Sequence, residues 1–434
     1  MPPISIKDMK ILNLKINLIF LIIPFVLTNV EASTHADIIV DQNGNGDYQT
    51  ISAAIGALPM FAYQRVVILI RNGVYEEKIR IDQNYVTLRG ESRDSTIIQY
   101  NQLRSDWVTN KDAVGPAVIN ICGDDIILDN LTIENTQPEI GPHAFAVFGK
   151  GTRTILTNCN ILSKGGDTVS LWNYKEGMYY HSNCYFQGAV DFVCPRGWCF
   201  IRDSKFYEVK ETATLWHDGH FNPDQKFVVR SSSFDGIEGF QLGRHHYEAQ
   251  FYLLDCSFSG SMADQPIYRH VYKDSTKNNP NYNGNRKYFY NCTKEGKTFS
   301  WYGNNLDETI ENPTPSDITA AWTFNSMWEP ERTDPPVVTG YKIDGKFLYL
   351  IFSEIVTVRG EVAFKDQAGK IFKIVKQRFN DINRLTFLTD DQIYKSDLSG
   401  DLILLNGDII ASIASVHERS IGSVFQIIND QTKN

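Results

Sequence analysis

From Ile126 onward, the apolar and polar positions fall into one recurring phrase. Two or three apolar residues precede an Asn, Asp or Ser, then a small residue, a variable one, and Ile or Phe. It reads IILDNLTI at 126–133, TILTNCNI at 154–161, MYYHSNCYF at 178–186, CFIRDSKF at 199–206, KFVVRSSSF at 226–234 and QFYLLDCSF at 250–258. A looser copy, YFYNC, stands at 288–292. The polar position recurs at 130, 158, 183, 203, 231, 255 and 291, a spacing of mostly roughly 20–28 residues that signals a solenoid. Short β-rich runs make it a parallel β-helix, each coil burying its apolar face on the next. The polar residue then occupies the same turn in every coil, where stacked side chains can satisfy one another.

Upstream, ISAAIGAL at 51–58 predicts one short helix that plugs the open end of the solenoid. Downstream, Thr333-Asp334-Pro335-Pro336 reads as a linker. After it the phrase gives way to KFLYLIFSEIV, EVAFKD, KIFKIV, RLTFLT and DLILLNGDIIASI, strands separated by Gly, Asp and Asn turns. That pattern predicts an immunoglobulin-like β-sandwich. The expected fold is all-β: a right-handed parallel β-helix over 37–332 followed by a small immunoglobulin-like sandwich over 333–434. At the N-terminus, Lys7, Lys10 and Lys15 precede the apolar run Leu18–Leu27, and small residues follow to Ala32 and Ala36. This is the form of a secretory signal peptide occupying 1–36. The run is too short for a confident membrane span, and no Cys stands near the cleavage site to carry a lipid. A secreted or periplasmic protein is expected.

Composition narrows the function without naming it. The 434 residues are 42% hydrophobic and 21% charged, which excludes a largely disordered chain. The net charge of −9 argues against a nucleic-acid partner. Of the seven cysteines, Cys159, Cys184, Cys256 and Cys292 each follow the repeated polar position, which favours a buried ladder over a disulfide framework. A Cys194–Cys199 bridge stays open. Cysteine and histidine spacing gives no zinc pattern.

Several motifs, in order, resemble the pectin methylesterase (pectinesterase) family over about Asp37 to Glu331. VDQNGNGDYQTISAAIGALP (40–59) is similar to the family's opening strand and helix, and RNGVYEEKIRI (71–81) to its GxYxE motif. GGDTVSL (165–171) stands at YQDTLY, GAVDF (188–192) at GTVDF, and QLGRHH (241–246) at LGRPW. The resemblance implies Asp191 as nucleophile, Asp167 as general acid/base and Arg244 as the arginine bonded to the nucleophile. The residues allow it: one carboxylate attacks an ester carbonyl while a second protonates the leaving alkoxide. Asp191 lies in an apolar context (Ala-Val-Asp-Phe-Val), where a carboxylate needs a partner. Residues about one coil apart can stack as neighbours. An isolated Asp before Thr, as at Asp167, is otherwise a turn residue.

The chain also departs from the family pattern. His143 and Gly166 stand where two glutamines are expected, His245 and His246 replace Pro and Trp, and Val-Cys-Pro-Arg-Gly-Trp occupies 193–198. His143, His245, His246 and the Gly166 amide are the candidate oxyanion donors. Trp198 and Trp216, with Trp172 and Tyr174, are candidate platforms for pyranose rings. The implied partner is pectin or methylated oligogalacturonides, without metal or organic cofactor. The same fold acting on another ester, an inactive pectin-binding solenoid and a polysaccharide lyase remain alternatives.

Overall fold

The computed structural model describes residues 36–61, 64–218, 222–278, 280–375, 383–398 and 400–427. The expected signal peptide lies outside the described residues except for Ala36. The described residues form one compact unit.

Three parallel sheets of ten, eight and nine strands make the solenoid. Its phrase is visible in the backbone: Asn130, Asn158, Asn183, Asp203, Ser231, Asp255 and Asn291 all have φ between +49° and +57°. Short polar side chains tolerate this left-handed corner by bonding locally. They also bond between coils, as in Asn183 Nδ2 to Asn158 Oδ1 (2.7 Å) and Asn291 Nδ2 to Asp255 Oδ1 (2.8 Å). One residue on, each ladder cysteine turns inward. Cys159, Cys184, Cys256 and Cys292 all have Sγ near the carbonyl two residues back and a carbonyl of the previous coil. All seven cysteines are free thiols, so Cys194 and Cys199 are not bridged.

Inside, Phe186, Phe206, Phe234 and Phe258 stack with centroid separations of 5.3, 4.4 and 5.6 Å. Each is fully buried, a burial that stabilises by about 1.5–3 kcal/mol per side chain. The predicted helix forms over Ile51–Gly56, with the Thr50 hydroxyl capping the Ala53 amide. A second helix, Arg104–Thr109, was not legible in the pattern.

The outer face of the ten-stranded sheet is apolar because it is covered. Ile155, Tyr180, Phe200 and Tyr252 pack against Leu306, Ile318, Phe324, Trp328 and Ala414. Beyond Val338 the chain forms a seven-stranded sheet whose named pairings are antiparallel. A parallel bridge from Val338 to Ile427 links its two ends, and Phe364 packs on Phe372, Phe387 and Phe425 inside. The sheet is therefore sandwich-like, with one core of its own.

A buried polar clasp joins this sheet to the solenoid. Arg65 donates from Nε to Ser412 O (2.9 Å), from Nη1 to Thr87 Oγ1 (3.0 Å) and from Nη2 to Asp125 O (2.9 Å). Its amide donates to Thr357 Oγ1 (2.7 Å). The Asp125 carboxylate accepts both legs of Arg153 (2.9 and 2.6 Å) and the Ala414 amide (3.0 Å). Burial brings the Arg65 guanidinium down to about 10. Each guanidinium nitrogen of Arg65 has an acceptor, which is what a charge needs in order to sit there.

Candidate active site

The eight-stranded sheet carries the candidate residues. Strands Val169–Leu171 and Val193–Pro195 pair in parallel, Val169 against Val193. Asp167 and Asp191 each stand two residues before their strand, so they are neighbours on adjacent coils. Both have φ +57°, and Val190 has φ +46°. A β-branched residue there is strained, at a cost of order 1–3 kcal/mol. The turn is held by Val190 N to Thr212 Oγ1 (3.1 Å), Asp191 N to Ala213 O (2.6 Å) and Asp167 N to Val190 O (3.1 Å).

Each aspartate is only 8% exposed, yet their surroundings differ. Arg244 forks onto Asp191, Nε to Oδ1 at 2.8 Å and Nη2 to Oδ2 at 2.7 Å. Burial holds the Asp191 carboxyl above its ordinary value, with the Arg244 fork opposing that rise. Asp167 has no such fork; His143 Nε2 lies 3.7 Å from its Oδ1. Burial and then the Asp191 charge push Asp167 up to about 7, against the opposing fields of Arg196, Arg104 and Arg244. Two adjacent carboxyls are thus separated in role: one paired with a cation, the other able to hold a proton near neutrality.

The donor candidates separate cleanly. The Gly166 amide is committed to Pro142 O at 2.9 Å. His245 turns into the solenoid, where its Nδ1 meets Tyr247 O (2.7 Å) and its ring lies against Phe251. This corrects the expectation that His245 and His246 line the site together: successive strand residues face opposite ways, so an outward Arg244 sends His245 inward. His246 is also buried, its ring 4.8 Å from Tyr247, 4.6 Å from Tyr272 and 6.4 Å from Trp216. Trp198 is the second correction. It opens a strand of the ten-stranded sheet, donates to Asp224 O (3.0 Å) and packs in the covered apolar layer, away from the carboxyl pair. Trp216 remains, in register with Arg244, whose guanidinium lies 5.7 Å from its ring. His143 is the donor candidate beside Asp167, with 47% of its side chain exposed.

A family model described as Pectinesterase matches residues 37–217. Over those residues the chain is similar to the pectinesterase family. The chain is 33% identical over 177 residues to the probable pectinesterase 49 of Arabidopsis thaliana, covering 39% of this chain and 46% of that protein. It is 30% identical over 163 residues to pectinesterase 31 of the same plant, covering 36% and 50%. The chain spans about half the length of these curated relatives. Among solved structures, a pectin methylesterase in complex with a hexasaccharide superposes with TM-score 0.56 at 22% identity, over 69% of this chain and 99% of that one. Pectin methylesterase PemA from Erwinia chrysanthemi gives 0.55 at 21%, over 68% and 99%. At these identities the structures establish the fold.

Around the carboxyl pair stand further residues. Arg104 opens the unforeseen helix and its amide donates to His143 O (2.9 Å). Trp172 donates to Ser170 Oγ (2.6 Å), and the Arg196 guanidinium lies 4.1 Å above its ring. The Ser170 hydroxyl meets Cys194 Sγ at 3.3 Å. Glu208 is fully buried; its Oε1 accepts the Lys210 amide at 3.0 Å, and burial pushes the carboxyl up to about 9. It is therefore neutral beside the turn that carries Asp191. In the sequence Glu208 looks like any strand-end acid, and only burial sets it apart. Among the described residues, no group of His, Cys, Asp and Glu is placed to hold a metal ion. None of their helices is long and apolar enough to cross a membrane.

Proposed function

We propose that this is an exported esterase that hydrolyses methyl esters of galacturonate in pectin, releasing methanol. The observation that carries it is Asp191 forked by Arg244 beside a proton-holding Asp167. Asp191 attacks the ester carbonyl, and the electron pair moves to the carbonyl oxygen. As the intermediate collapses, Asp167 protonates the departing methoxide and methanol leaves. Asp167, now ionised, takes a proton from water, which attacks the acyl-enzyme and frees the galacturonate carboxylate and Asp191. The signal peptide at 1–36 would carry the protein out of the cytoplasm. The C-terminal strand order also supports an immunoglobulin-like module: Val338–Asp344, Phe347–Phe352, Arg384–Leu388 and Ile371–Ile374, then Val356–Lys365, Leu402–Ala411 and Val424–Phe425, follow the A-B-E-D and C-F-G succession.

Methanol release from highly methylated pectin tests the reading directly; folded protein that releases none would sink it. The pH dependence is a sharper check. The acid form of Asp167 is required, so kcat/KM should fall above about 7 as that proton is lost, and fall again at low pH as Asp191 protonates. A profile flat across neutrality would contradict the role of Asp167. The same raised value bears on stability: the folded state holds this proton more tightly than the unfolded chain. The contribution is present at low pH and lost as pH rises through about 7.

His143 is the proposed oxyanion donor. Burial, and then the charges of Arg104 and Arg244, hold its ring below the ordinary histidine value, so it donates as a neutral imidazole. His143→Ala should lower kcat by about 10²–10³, the cost typical of losing one such donor. His143→Gln, which keeps an N–H at that reach, should retain most of it. Equal turnover by His143→Ala and wild type would remove His143 from the mechanism.

A further inference from the structure

Where the nine-stranded sheet ends, a column of buried polar side chains holds the turns that lead to the eight-stranded sheet. Asn135 and Ser163 each stand one step past the paired residues Glu134 and Leu162. Asn135 Nδ2 donates to Phe145 O (2.9 Å). Ser163 Oγ donates to Ala144 O of the preceding coil (2.9 Å) and accepts the Gly165 amide of its own (2.9 Å). The next coil, which carries Asp191, has Gly188 here, and Glu208 follows it in register. A Cβ on Gly188 would lie 2.2 Å from Thr168 Oγ1 and 2.4 Å from Phe192 Cβ. With no side chain of its own at the corner, the Asp191 turn takes its support from the coil that follows. Val190 donates to Thr212 Oγ1, and Asp191 to Ala213 O. Val190 O in turn accepts the Asp167 amide at 3.1 Å, so both aspartates are tied to one left-handed residue. Glu208 stands behind it, completely buried, with Oε1 accepting the Lys210 amide (3.0 Å). Its carboxyl also faces the Thr212 hydroxyl and the Val190 amide.

We propose that Glu208 is a positioning residue for ester hydrolysis: through Thr212 it fixes the Val190 turn, and with it the two aspartates, in reacting geometry. Which groups react rests on the function proposed above. A left-handed β-branched residue persists only where its surroundings over-determine it. The Thr212 hydroxyl supplies one such constraint, but a hydroxyl rotates to suit its neighbours. It keeps a lone pair on the Val190 amide when its own proton is given elsewhere, and the Glu208 carboxyl faces it there. Length explains the residue type. Ser163 reaches only its own corner, whereas Glu208 is two carbons longer and its head extends to Thr212. No charge is needed for this part, only an acceptor at the right reach. A glutamate that merely closed its own corner would serve Lys210 alone, and turnover would not depend on it.

The test compares Glu208→Gln, which keeps length and acceptor, with Glu208→Met, which keeps length and volume but loses the acceptor. Glu208→Met should lower kcat for methanol release about 10- to 100-fold, the loss that a displacement on the order of 1 Å brings. Its KM should stay within about twofold, because the sugar contacts are untouched. Glu208→Gln should return kcat to within about threefold of wild type. Hydrogen exchange at the Val190 and Asp191 amides should quicken in Glu208→Met and not in Glu208→Gln. Thr212→Val keeps its volume and removes the acceptor of the Val190 amide, so it should repeat both effects; it decides the matter if Glu208→Met does not fold. A lower melting temperature with unchanged kcat and exchange, in Glu208→Met or Thr212→Val, would overturn the inference. So would a loss of turnover carried equally by Glu208→Gln. Faster exchange in Glu208→Met, beside a wild type that releases no methanol, would refute the esterase reading and leave the support of the turn standing.

Discussion

Asp191→Asn should abolish methanol release from methylated pectin, by roughly 10⁴-fold or more, while leaving the protein folded. The amide has nearly the shape of the carboxylate and can still accept one leg of Arg244, so the left-handed turn keeps its partners. What disappears is the nucleophile: an amide oxygen does not attack an ester at a useful rate. The fork is bidentate, so the change also leaves Arg244 with one donor unanswered in a site where its side chain is only 20% exposed. A modest drop in melting temperature is expected with the loss of turnover. Asp167→Asn should be milder, about 10²–10⁴-fold, because proton transfer can be taken over slowly by water. Initial rates of methanol release, beside a thermal melt of each variant, check both. Asp191→Asn retaining turnover within tenfold of wild type would remove the covalent mechanism.

The largest stability effect is expected far from this site, at Asp125. Its carboxylate is completely buried, and it answers Arg153 and the Ala414 amide while its carbonyl answers Arg65. Asp125→Ala leaves two guanidinium groups in or at the clasp without their counter-charge. Breaking a buried pair from one side typically costs about 3–5 kcal/mol. The loss should appear as a lower urea midpoint for the solenoid and the C-terminal sheet together, because the clasp belongs to both. An unchanged midpoint, or a shift confined to the C-terminal sheet, would show that the clasp does not couple them.

The solenoid could be read from the sequence because its signal is local and repeated. The corner at Asn158 or Asp255 needs a residue that accepts a left-handed backbone, and the next strand needs alternating apolar residues. Both demands leave marks within eight or nine positions. The C-terminal strands were visible for the same reason. The clasp was not: Arg65 meets Thr357 and Ser412 across nearly the whole chain, and nothing near Arg65 in sequence marks it as buried. In the site, the two aspartates and Arg244 were legible only through the resemblance of the motifs that carry them, and coil register accounts for the adjacency of the aspartates. His245 and Trp198 went astray through two facts that were available. Adjacent strand residues point opposite ways, and Trp198 directly precedes the phrase beginning at Cys199, so it belongs to the next sheet. Arg104 and Glu208 left no mark, because what distinguishes them is burial and proximity.

The inward-turned thiols give the solenoid a built-in reporter of its own opening. A thiol-reactive reagent meets Cys122 at the surface and a partly shielded Cys292, whereas Cys159, Cys184, Cys194, Cys199 and Cys256 are closed off by neighbouring coils. Each can react only when the turn around it comes apart. Labelling rates followed cysteine by cysteine would therefore read the local opening free energy along the axis. They would distinguish a stack that frays from one end from one that lets go all at once.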